Sequence, residues 1–198
     1  MRSRNPELQA FVHAAEGAYD RFLSEPNGLK ASRKIFARLE SPQAVGVADP
    51  RRLPACANLS AALGIGTTDK ALVELLKCFA IIEPMLHWRH RESYDATASP
   101  NFFDGHGNVM ILGPGGLEER ADVQIGFSLL APHVRYPDHR HPPEEVYLVL
   151  SDGEFQHAAS DWFSPGIGGT IYNSPGIRHA MRSGPTPLFA MWILLAQS

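Results

Sequence analysis

Histidines, carboxylates and phenols crowd one short stretch of this sequence, Tyr136-Pro137-Asp138-His139-Arg140-His141-Pro142-Pro143-Glu144-Glu145-Val146-Tyr147. Side chains alternate across a β-strand, so residues two apart share a face. His139, His141, Glu145 and Tyr147 have one parity. If phase is kept across Pro142-Pro143, all four converge on one interior. Imidazoles beside a hard carboxylate suit Mn, Fe, Co or Zn and leave coordination positions for a substrate. A distant histidine on a matching strand completes such a site, and His179 follows in Gly169-Thr170-Ile171-Tyr172-Asn173-Ser174-Pro175-Gly176-Ile177-Arg178-His179. A cation stabilises phenolate, so Tyr147 and the upstream Tyr136 are candidates for a ligand or a general base.

The elements that must position these residues fall into two halves. From residue 6 to about 90 the period is helical: Leu8, Phe11, Val12, Ala15, Tyr19, Phe22 and Leu23 form one stripe behind an Asn5-Pro6 cap, which Asn27-Gly28 is expected to end. Further helices are expected over 29–39, around Leu59–Leu63, and from a Thr68-Asp69 cap towards Trp88. From residue 100 the period shortens to β-rich runs at Val109–Leu112, Val123–Leu130, Glu145–Leu150, Thr170–Tyr172 and Leu188–Leu195, separated by Gly/Pro turns. That spacing predicts an antiparallel sandwich or small barrel. The expected organisation is a helical segment over 1–95 packed on a β-barrel over 96–198, without a flexible linker. Phe127, Phe189, Trp162 and Trp192 are expected to pack the barrel, some walling a pocket where aromatic faces attract a cation. His13, His87 and His90 read as surface or interface residues, and His106, His133 and His157 as loop residues.

Composition narrows the partners. The 198 residues carry 18 Lys+Arg against 21 Asp+Glu, a net charge of −3, which gives no footprint for nucleic acid or an anionic membrane. No window reaches the roughly 18 apolar residues needed to span a bilayer. The charged start, Met1 to Glu7, lacks the apolar run of a signal peptide. With only Cys56 and Cys78, a disulfide framework is excluded and a cytoplasmic protein with reduced thiols is expected.

Residues 105–195 resemble the cupin superfamily. His139, His141, Glu145 and Gly153 match its first motif, and Gly169, Pro175, Gly176 and His179 its second. Three positions depart from the pattern: Glu145 to Gly153 is one residue longer, Pro175 and Gly176 are adjacent, and Ser183 replaces the usual asparagine. Cupin membership alone fixes no reaction. The arrangement of Tyr136, His139, His141, Glu145 and Tyr147, with the helical half, is similar to the cupin-type dimethylsulfoniopropionate (DMSP) lyases, especially the Q-type. The resemblance implies metal ligands His141, Glu145, Tyr147 and His179. It sets His139 just outside them in the catalytic group, and Tyr136 beside the substrate.

The fold so implied is a single cupin barrel, a jelly-roll, with N-terminal helices. The activity implied is β-elimination of DMSP to dimethyl sulfide and acrylate. A divalent transition metal (Fe, Zn, Mn, Co or Ni) would bind the substrate carboxylate, with Tyr147 or Tyr136 as base. A non-haem iron dioxygenase using His139, His141, Glu145 and His179, and a non-catalytic cupin that binds a small molecule, are the competing expectations.

Overall fold

The computed structural model describes residues 3–46, 49–64 and 66–196. Of the N-terminal stretch weighed as a leader, Met1 and Arg2 lie outside the described residues. The Asn5 side chain accepts from the Glu7 and Leu8 N–H groups and starts helix α1 (Pro6–Phe22), with Pro6 where a missing N–H does no harm. Glu25 caps α2 (Pro26–Leu39) in the same way. Asn27 and Gly28 therefore open the second helix rather than closing the first, which stops at an extended Leu23. After β1 (Ala44–Val45) and α3 (Leu59–Leu63), Asp69 caps α4 (Lys70–Ile82). This helix gives way to a 3-10 turn carrying Pro84 and does not reach Trp88.

The strands follow: β2 (Trp88–Arg89), then the short helix α5 (Phe102–Gly105), β3 (His106–Leu112), β4 (Glu118–Glu119) and β5 (Val123–Leu130). Beyond them lie β6 (Arg135–His139), β7 (Glu145–Val149), β8 (Glu154–His157), β9 (Thr170–Asn173), β10 (His179–Arg182) and β11 (Leu188–Leu195). One sheet runs β1-β4-β3-β5-β11-β7-β9, with β2 on β3. The other is β6-β10-β8. Pairing is antiparallel except between β3 and β4.

Alternation along β11 gives the large sheet two apolar faces. Phe189, Met191 and Ile193 join the core shared with the helices, while Leu188 and Ala190 join the core between the sheets. Phe127 and Phe189, expected inside the barrel, instead stack 4.8 Å apart on the helix side, with the Phe79 ring 4.4 Å from Phe127. Trp162 also lies elsewhere: its half-buried ring takes the Arg182 guanidinium at 4.3 Å and that of Arg135 at 5.4 Å. His106 is fully buried, not a loop histidine.

Polar bonds fasten the helical layer as well. The buried Tyr19 hydroxyl meets the carbonyls of Val146 and Met191 at 3.0 and 3.3 Å. Arg4 bonds Glu118 at 2.7 Å, both side chains nearly inaccessible, and reaches the Leu39 carbonyl at 2.8 Å. Among the described residues no helix is long and apolar enough to cross a membrane.

A chain beginning near residue 100 would expose the Phe127, Phe189 and Met191 face to water. Burying one such side chain contributes roughly 1.5–3 kcal/mol. That fragment is expected to be insoluble or to lack a cooperative melt in near-UV circular dichroism. A sharp melt close to that of the full chain would show that the helical layer is dispensable.

Candidate metal centre

Neighbouring strands of the small sheet bring two histidines together. The β6–β10 register pairs His139 with His179, and their ring centroids are 4.0 Å apart. The chain then leaves β6, passes through a turn carrying His141, and enters the large sheet at Glu145. The residues therefore converge because two sheets face each other, and not because phase runs on through Pro142-Pro143. Gly176, at φ +72°, lets the turn before β10 donate its N–H to the His141 carbonyl at 3.0 Å.

Tyr136 and His139 are an odd number of residues apart, so a regular strand would send them to opposite faces. A bulge corrects this. Met181 pairs with Tyr136 while His179 pairs with His139, so β6 uses three steps where β10 uses two. Pro137, which has no N–H for a ladder bond, lies in that bulge.

Each imidazole is oriented by a backbone carbonyl. Nδ1 of His139, His141 and His179 bonds to the carbonyls of Pro137, Pro143 and Ile177 at 3.0, 2.9 and 3.1 Å. A carbonyl only accepts, so Nδ1 carries a proton, and in the neutral ring Nε2 keeps a lone pair. One nitrogen from each ring lies within 4.8 Å of the others, His139 included. Glu145 Oε2 stands 3.3 Å from His141 Nε2 and 3.2 Å from His179 Nε2. The latter approach lacks hydrogen-bond alignment, and the buried His179 Nε2 has no hydrogen-bond partner among the described residues. Electron-rich atoms turned towards one another in a buried space are stabilised by a cation. The donor set thus fits a divalent transition metal, with the carbonyls supplying the outer bonds that metal-bound imidazoles ordinarily make.

The charges agree with that geometry. Burial alone would raise the Glu145 carboxyl, but His141 and His179 outweigh it and hold the group down at about 2. Burial, with the neighbouring His179, pushes His139 down to about 3, so it is neutral at physiological pH. The Glu145 bond raises His141 despite its burial. Burial and then the facing Glu145 carboxylate drive the Tyr147 phenol well above its ordinary value. Tyr136 is also raised by burial, but Arg91 and a hydrogen bond from Asn108 oppose the rise.

A cavity of about 190 Å³ opens on this cluster, lined by Tyr136, Tyr147 and Trp192 among others. A hydrogen-bond chain runs along its wall. Trp192 Nε1–H donates to Ser128 Oγ at 3.2 Å, Ser128 to Asn108 Oδ1 at 2.7 Å, and Asn108 Nδ2 to the Tyr136 hydroxyl at 3.0 Å. Asn108, Ser128 and Arg91 escaped the sequence reasoning. The polar phase of β5, Gln124 and Ser128, carries the pattern of a solvent-facing strand, yet it faces this cavity.

The sequence profile of the dimethylsulfoniopropionate lyases matches residues 28–190. The chain belongs to the DMSP lyase family. A curated relative, the DMSP lyase DddQ of Ruegeria pomeroyi, is 26% identical over 187 residues, covering 93% of this chain and 84% of that protein. The crystal structure of DddQ from the same organism matches with a TM-score of 0.70 at 19% identity, over 97% of this chain and 92% of that one. A structure from work on the DMSP lyases RdDddP and RnDddQII gives 0.69 at 22%, over 96% and 93%. These structural likenesses carry the fold, a cupin barrel with its helical layer, across nearly the whole length.

A metal bound at this cluster would compete with protons for the same Nε2 atoms. With His141 raised in the metal-free protein, a proton is held there to higher pH than in free histidine. Metal affinity, measured against a competing chelator, is expected to fall as pH drops through that titration and to level off above it. Tighter binding on acidification would contradict the assignment.

Proposed function

We propose that this protein cleaves DMSP to dimethyl sulfide and acrylate by β-elimination at a metal-bearing site. The observation that carries this reading is the cluster of three inward imidazoles and an ionised carboxylate at the floor of a cavity walled by two phenols and an indole. His141, Glu145 and His179 would hold the metal, with His139 in reach as a further donor and Tyr147 adjoining through Glu145. Imidazole and carboxylate admit Fe, Zn, Mn, Co or Ni. When bound, the ion would supply Lewis acidity to the substrate carboxylate.

The remaining work belongs to the chain. A base takes the proton from the carbon next to the carboxylate. That C–H pair becomes the new carbon–carbon double bond, the carbon–sulfur bond breaks, and its pair leaves on sulfur as neutral dimethyl sulfide. No acid is needed for the leaving group. Tyr136 is favoured as the base, because its hydroxyl accepts from Asn108 and faces Arg91, and both favour its anion. Tyr147 faces the Glu145 carboxylate, which disfavours its anion. The rings of Tyr136, Tyr147 and Trp192 offer faces to the sulfonium. Cys56 and Cys78, buried and unpaired, suit the cytoplasmic setting expected from the sequence.

Headspace assay of dimethyl sulfide tests this directly. Tyr136→Phe is expected to lose about a hundredfold or more in turnover with metal retained, as for a removed general base. Tyr147→Phe is expected to lose less, and its metal content reports whether the phenol is a ligand. Turnover should persist without oxygen, whereas an oxygenase would stop. Near-normal turnover in both variants with metal bound would remove both phenols as the base.

A further inference from the structure

Arg91 reaches the cavity from the helical half of the chain. It lies two residues past β2, and its backbone N–H donates to Nε2 of His106 at 2.7 Å, while His106 Nδ1 bonds to the Phe102 carbonyl at 2.6 Å. His106 is fully buried, and burial holds it at about 4, so a neutral ring fixes the Arg91 backbone from inside the fold. The Arg91 side chain lies over the Tyr136 ring, Cζ 5.8 Å from the centroid, and lines the cavity beside Asn108 and the histidines. Its Nε donates to the Ser93 carbonyl at 2.8 Å. Among the described residues the half-buried guanidinium forms no ion pair. The Nε bond leaves the terminal nitrogens as a fork, the geometry that matches a carboxylate.

We propose that Arg91 is the carboxylate-recognition residue of this cavity, and that it restricts the lyase to sulfonium substrates bearing a carboxylate at the other end. The inference rests on the elimination reading above and adds the device that selects and orients the substrate. A zwitterion entering sulfonium-first towards Arg91 is repelled, while one entering carboxylate-first is held, with the sulfonium left to the aromatic rings. A carboxylate has two oxygens, so the bond to Arg91 leaves the other free to face the histidine cluster.

Two measurements test this, one of them independent of turnover. Metal-free protein at about pH 8 is titrated with propionate and with propionamide, which differ in charge but hardly in shape. The wild-type protein should bind propionate and discriminate against the amide. Arg91→Gln should weaken propionate binding by about tenfold or more, as for a lost charged hydrogen bond, and Arg91→Lys by less. In the metal-loaded enzyme, Arg91→Gln should raise KM for DMSP about tenfold, and kcat should fall as well, because Arg91 also favours the Tyr136 anion. Its preference for DMSP over the carboxamide analogue should fall by a similar factor, a ratio that a purely structural role would not move. Unchanged KM and preference in a folded Arg91→Gln variant would overturn the proposal. If that variant does not fold, equal binding of propionate and propionamide by the wild-type protein would overturn it as well. Propionate binding that depends on Arg91, in a protein that releases no dimethyl sulfide from DMSP, would support the carboxylate site while sinking the elimination reading.

Discussion

Three backbone carbonyls, those of Pro137, Pro143 and Ile177, set the character of the whole molecule by taking the Nδ1 protons of three histidines. With those protons committed outward, the Nε2 atoms of three imidazoles and the Glu145 carboxylate are turned inward, towards one another. Glu145 is only 4% exposed, so the carboxylate is removed from water and needs positive charge nearby. Everything else in the barrel serves to hold that arrangement: a bulge for His139 and Tyr136, a left-handed glycine for the His141 turn, and facing sheets for Glu145 and His179.

The helical layer shields the outer face of the large sheet, where Phe11, Phe79, Phe127 and Phe189 form one aromatic cluster. Beside it, the segment after β2 carries Arg91 to the cavity, held there by the buried His106 of β3. Tyr136 lies edge-on to Phe102 at 5.2 Å and beneath Arg91.

Much of this was legible in the sequence, for reasons that differ by element. Asn5 and Asp69 announced their helices because capping chemistry is local, and β3, β5, β7 and β11 announced themselves by apolar runs. The small sheet did not: β6, β8 and β10 are four or five residues long and mix polar residues with apolar ones, which leaves little periodic signal. The side chains of the cluster stood out because histidines, a glutamate and tyrosines at short spacing are uncommon. Parity gathered them correctly for an incomplete reason, since His139 and Glu145 belong to different sheets. Asn108 and Ser128 were hidden because a polar phase lining a cavity and a polar phase facing solvent read alike. Phe127 and Phe189 were assigned to the wrong face because an apolar strand has two, and only the helices decide which face each residue joins.

The central claim is that the inward-turned nitrogens and Glu145 make one ion site on which turnover depends. Its most direct test is a titration of metal-free protein with a divalent transition metal, following histidine ¹⁵N resonances and dimethyl sulfide release in the same samples. The account predicts that the Nε2 resonances of His139, His141 and His179 shift together up to about one ion per chain, with activity rising in step and then stopping. Full activity in the metal-free protein, or activity that rises while those resonances stay unmoved, would contradict it.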